Sequence, residues 1–117
     1  MILAIQGTRT FNKYESVFLR GMGRALSMLN SDDKTLTVYT AGPANINSMA
    51  MEFINITERS LNARGVKTRV NKVSPSWIKQ NIGDVDLFLY FCSPKESYSE
   101  IYDLANRKNI DAEVYRY

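Results

Sequence analysis

A chain of 117 residues has room for one hydrophobic core, and 44% hydrophobic against 23% charged residues is the balance of a globular protein, not a disordered or membrane-embedded one. The net charge of +3 suits an anionic ligand but falls far short of a duplex-DNA binder's basic stripe, so a nucleic-acid partner is not expected. Histidine does not occur and Cys92 is the single cysteine, which excludes a Ser-His-Asp triad, His-bound metals and an internal disulfide, and points to a reducing, cytoplasmic setting.

The opening run Met1-Ile2-Leu3-Ala4-Ile5 lacks a preceding cationic segment and is too short to span a bilayer, so neither a signal peptide nor a membrane anchor is expected. Residues 2–6 read as a buried strand that breaks into Gln6-Gly7-Thr8-Arg9-Thr10-Phe11. A strand, a Gly turn and a helix start in immediate succession form an anion cradle. The first amides of a helix lack intrahelical acceptors, and the helix dipole favours negative charge there. The guanidinium of Arg9 adds a fork that can hold a phosphate bidentately, and Thr8 and Thr10 add hydroxyls.

Residues 13–29 carry apolar groups at helical spacing, including Val17, Phe18, Met22, Ala25 and Leu29. Asn12 is the expected N-cap, with Glu15 completing a capping box. Leu36-Thr37-Val38-Tyr39-Thr40 is β-branched and aromatic, hence a second strand. A helix is expected from Asn47 or Ser48 to Arg64-Gly65, followed by an edge strand over residues 66–70 in which Lys67 and Arg69 alternate with apolar positions. Ser74-Pro75 opens a short helix anchored by Trp77, Ile78 and Ile82 and closed at Gly83.

Asp86-Leu87-Phe88-Leu89-Tyr90-Phe91 is the longest apolar run and reads as a central parallel strand covered on both faces. Cys92 at its end reads as a buried, inert thiol, since no His stands ready to activate it. A last helix is expected over residues 98–108, with Ser97 and Glu100 as its capping box, and a last strand over residues 112–116.

Alternating strands and helices with right-handed crossovers imply an α/β architecture within one domain, residues 1–117. It is a three-layer, Rossmann-like open parallel sheet in strand order 3-2-1-4-5, with helices on both faces. The winding reverses between strands 1 and 4, where ligands bind beyond the carboxyl ends. Three segments would line that crevice: residues 7–11, 41–48 and 92–99. The candidate ligand-binding residues are Gly7, Thr8, Arg9, Thr10, Gly42, Asn47, Ser48, Ser93, Ser97 and Ser99. No cofactor or metal is implied.

Gly7-Thr8-Arg9-Thr10-Phe11 after the first strand resembles the first-strand signature of the SLOG superfamily. These are nucleotide-binding domains that include the YspA-like proteins, the cytokinin-activating LOG enzymes and the DNA-processing protein DprA. Ala41-Gly42-Pro43-Ala44-Asn45-Ile46-Asn47-Ser48-Met49-Ala50 stands where the YspA-like branch has Gly-Gly-Ala-x-Gly-Ala-Asp, with the paired Gly reduced to Gly42 and the acid replaced by Asn47 or Ser48. Ser93-Pro94-Lys95-Glu96-Ser97-Tyr98-Ser99-Glu100 stands where LOG enzymes have Pro-Gly-Gly-x-Gly-Thr-x-x-Glu, and Glu100 falls near the Glu that supports cleavage of an N-glycosidic bond.

The resemblance implies a nucleotide or nucleotide-derived ligand, sensed or sequestered, and the lost Gly pairs favour binding over catalysis. A compact binder with eroded catalytic motifs is also, by analogy alone, what a virus could turn against a nucleotide-signalled host defence. Two alternatives stay open: an N-glycosidic-bond hydrolase or transferase acting on nucleotides with Glu100 as its carboxylate, and an interaction module for protein or single-stranded DNA. Lys67, Arg69 and Lys72 guard the third strand against edge pairing, so a homo-oligomer is expected through helix faces.

Overall fold

Five parallel strands form a single sheet in the order β3-β2-β1-β4-β5. A computed structural model describes residues 1–9, 15–95 and 99–117. The elements are β1 (Ile2–Gly7), α1 (Glu15–Ser27), β2 (Thr35–Ala41), α2 (Ala44–Ala63), β3 (Lys67–Lys72), α3 (Pro75–Asn81), β4 (Leu87–Cys92), α4 (Glu100–Arg107) and β5 (Asp111–Arg116), with one 3-10 turn at Ile82–Asp84. This is the expected doubly wound order, with β1 beside β4 and helices on both faces. Each connection runs through a helix to a neighbouring strand, except that from β3, which passes β2 and β1 to reach β4; only right-handed crossovers pack those helices back onto a twisted sheet.

The pleat sorts side chains into two cores. Leu3, Ile5, Val38, Leu87, Leu89 and Phe91 face α1 and α2. Ala4, Ala41, Phe88, Tyr90 and Cys92 face α3 and α4, where Ile78, Ile82, Ile101 and Ala105 meet them. Every residue of β4 is buried, as its unbroken apolar run predicts for a strand covered on both sides. Under α1 the Phe91 ring lies between Phe18, 5.1 Å away, and Tyr115, stacked at 5.5 Å.

Several boundaries differ from the sequence expectation. Helix α2 starts at Ala44, not at Asn47 or Ser48. Pro43, a helix breaker in most positions, is its N-cap: its carbonyl accepts from the amides of Ile46 at 3.0 Å and Asn47 at 3.2 Å. Proline suits this place because its fixed φ is compatible with the helix entrance and no amide is needed there. At the far end Gly65 takes a φ of +82°, and the Val66 amide reaches back to the Leu61 carbonyl at 2.9 Å, the closure that Arg64-Gly65 announced.

Helix α1 ends at Ser27, two residues early, because the amides of Met28 and Leu29 bond three residues back in a tightened final turn. Leu29 nevertheless reaches the core. Trp77, expected as a core anchor, is only half-buried and packs on Tyr39 with ring centroids 4.3 Å apart. Helix α4 covers Glu100–Arg107, and its N-cap is Ser99, not Ser97. Ser97 and Tyr98, like Thr10, Phe11, Asn12, Lys13 and Tyr14, lie outside the described residues, so the Asn12 cap does too.

Candidate functional site

The carboxyl ends of β1 and β4 adjoin, with Gln6 opposite Tyr90 and Gly7 opposite Phe91. The Thr8 amide donates to the Phe91 carbonyl at 3.0 Å, so the ladder runs one residue beyond β1, and the Thr8 side chain is buried. Arg9 follows at the exposed turn. On the other side β4 runs into Ser93, which is 6% exposed. The Ser93 Oγ has no hydrogen-bond partner among the described residues. A buried hydroxyl left unpaired costs free energy that a partner would return.

Ser99 ties the two sides together. Its Oγ accepts from the Tyr102 amide at 3.1 Å, capping α4, and donates to Gln6 Oε1 at 2.8 Å. The bond spans 93 positions in sequence and links the last turn of β1 to the start of α4 across the point where the winding reverses. Gly7, Thr8, Arg9, Ser93 and Ser99 thus occupy adjoining ends of neighbouring elements, as the topology demands. Gln6 was not among the sequence candidates; a polar residue closing an otherwise apolar strand was the one available signal.

The second wall is arranged differently. Asn47 Oδ1 accepts from Thr40 Oγ1 at 2.7 Å and from the Gly42 amide at 3.3 Å. These groups knit the end of β2 to the first turn of α2, and a ligand meeting them would compete with that bonding. Ser48 is exposed on α2. The reason for two glycines is Ile46, which is fully buried. A Cβ on Gly7 would lie 2.4 Å from Ile46 Cγ1, and one on Gly42 would lie 2.5 Å from Ile46 Cβ. Both glycines are therefore required for the close approach of α2 to the strand ends. Such a signal resembles a phosphate loop in sequence because both need backbone without side chain.

Glu100, the candidate catalytic carboxylate, is exposed at the first position of α4 and bonds Lys79 Nζ of α3 at 2.5 Å. The hydrogen bond and charge of Lys79 hold its carboxyl below the ordinary glutamate range. It stands ionised at neutral pH, fit for a base or nucleophile and not for a general acid. Cys92 is buried at the end of β4, and burial pushes its thiol up. An uncharged thiol is a poor nucleophile, in accord with the inert role expected for it. Cavities lie between α1 and α2, and along α4 and β5, where Ser99 is on the lining.

Fold and strand-end geometry together define a Rossmann-like α/β protein with a polar cluster at its topological switch point. No family model matches the chain, and neither a curated protein nor a solved structure matches it. No helix among the described residues is long and apolar enough to cross a membrane.

Proposed function

We propose that this protein binds a nucleotide or a nucleotide-derived signalling molecule at the carboxyl ends of β1 and β4, as a sensor or a sequestering protein. The observation that carries this reading is the Ser93 hydroxyl, buried at the end of β4 with no partner among the described residues. In open α/β sheets ligands enter where the winding reverses, and Ser93 stands at that point. Arg9 supplies a charged fork for phosphate, and the start of α4 at Ser99 supplies a positive dipole end. The resemblance of Gly7-Thr8-Arg9 to the SLOG signature supports the same class of ligand.

The test is thermal unfolding against mono-, di- and cyclic nucleotides and ADP-ribose derivatives. The expected outcome is a rise in melting temperature that grows with ligand concentration. Ser93→Ala should weaken the bound nucleotide by roughly tenfold, and Arg9→Gln by roughly ten- to a hundredfold, as lost hydrogen bonds to a charged ligand predict. If no compound stabilises the protein at millimolar concentration, the reading fails. Release of free base from a nucleoside monophosphate, abolished in Glu100→Gln, would move the protein to the N-glycosidic alternative.

A further inference from the structure

We infer that the outer face of α1 and α2 is the docking surface for a second copy of this chain, joined about a two-fold axis with the two α2 helices antiparallel. The large hydrophobic side chains left in solvent among the described residues are Leu19, Met51 and Ile56, at 52%, 43% and 72% exposure; Leu19 and Ile56 border one groove between α1 and α2, while Met51 lies on the flank of α2 towards β3. α3 and α4, the layer on the opposite face, expose none of this kind among those residues. Between α1 and α2 lies an open groove of about 140 Å³ whose apolar walls include Phe18, Leu19, Phe53 and Ile56. A monomer gains nothing by leaving such a groove wet, and contiguous exposed apolar surface marks an interaction site.

Charge selects the occupant. Along α2 the residues Glu52, Ile56 and Arg59 are spaced four and three apart, so they share one stripe of the exposed face. Neither Glu52 nor Arg59 has an ion-pair partner among the described residues. With Ile56 of one copy set against Ile56 of another in antiparallel alignment, Glu52 of each faces Arg59 of the other. The contact is self-complementary and closes on itself, so it yields a dimer and not a fibre. A parallel alignment would oppose Glu52 to Glu52 and is disfavoured. The β3 edge, with Lys67, Arg69 and Lys72, would repel its own copy.

The face is also large enough. Helices of 20 and 13 residues lying side by side cover a footprint of roughly 500 Å². Two such faces together bury about 1,000 Å², the size at which specific interfaces begin.

Sedimentation velocity on the full chain across the micromolar range tests this. The expected result is a monomer–dimer equilibrium, shifted to monomer by Ile56→Glu while the monomer's melting temperature holds, since the side chain is exposed. Glu52→Arg alone and Arg59→Glu alone should each weaken the dimer by roughly tenfold or more through like-charge contact, and the double variant should restore it. A monomer at every concentration overturns the inference, including the outcome in which the groove serves some other protein. A dimer indifferent to Ile56→Glu places the interface elsewhere, and failure of the double reversal to rescue overturns the antiparallel register. None of these results depends on nucleotide binding.

Discussion

Ile46 does at the scale of one side chain what a phosphate would have been invoked to do. It fills the space over both Gly7 and Gly42, so the two glycines answer to a neighbour in the fold. Gly42→Ala should cost about 1–3 kcal/mol in urea unfolding, because the new methyl meets Ile46 near its backbone, where a rotamer change cannot clear it. Ile46→Ala should cost about 2–5 kcal/mol by leaving a cavity. Combined, the two should cost clearly less than their sum, since the truncated side chain makes room for the added methyl. Strict additivity would mean that Gly42 serves something other than Ile46. Ser93 is the contrasting case: nothing in its sequence position distinguished it from Ser99, and only burial without a partner among the described residues does so.

At the scale of elements, the helix starts carry the most consequence. Ser99 both caps α4 and reaches Gln6, whereas Ser74 caps α3 through the Trp77 amide alone at 3.1 Å. Ser74→Ala should therefore cost about 1 kcal/mol, and Ser99→Ala about 1–2 kcal/mol, the excess disappearing when Gln6 is replaced as well. Chemical denaturation of the single and double variants measures both. The Glu100–Lys79 pair is exposed and matters less. The carboxyl of Glu100 is lowered first by the Lys79 hydrogen bond, so its small contribution is present above about pH 4.5 and is lost as pH falls through the lowered value. Glu100→Gln should leave the unfolding midpoint nearly unchanged at neutral pH.

Periodicity located the helices and strands because it reports which side chains turn inward, and that is a local property. It misplaced the start of α2 because Pro43 reads equally as a breaker and as a cap. The amides of Ile46 and Asn47, donating to its carbonyl, decide between the two. For α4 the rival caps Ser97 and Ser99 are alike in sequence, and the Tyr102 amide donating to the Ser99 Oγ identifies the cap.

For the whole molecule, burial of ionisable groups predicts behaviour in alkali. The Cys92 thiol is raised by desolvation, and the Tyr115 phenol is raised by desolvation and then by the charge of Glu113. Both groups keep their protons in the folded chain when the unfolded chain has lost them. Their contribution is complete below about pH 9 and is lost as pH rises through the raised values, so melting temperature should decline above that point. Cys92→Ala should remove the earlier part of the decline and leave the part near pH 10 that belongs to Tyr115. A thiol reagent should label Cys92 at the rate of unfolding, and fast labelling at neutral pH would refute its burial.

The amino-acid sequence by itself determined the alternation of strands and helices and the central place of β4, and made a doubly wound sheet the expected fold; the strand order it suggested is the one the structure has. These follow from side-chain spacing and backbone chirality, which every short segment carries with it. Only the tertiary structure decided that Gly7 and Gly42 make way for Ile46 and that Gln6 holds Ser99, and, among the described residues, that Ser93 is buried without a partner and that the large exposed apolar residues share the α1–α2 layer. Each of these depends on which distant residue fills a given space, and spacing along the chain says which way a side chain turns, not what it meets.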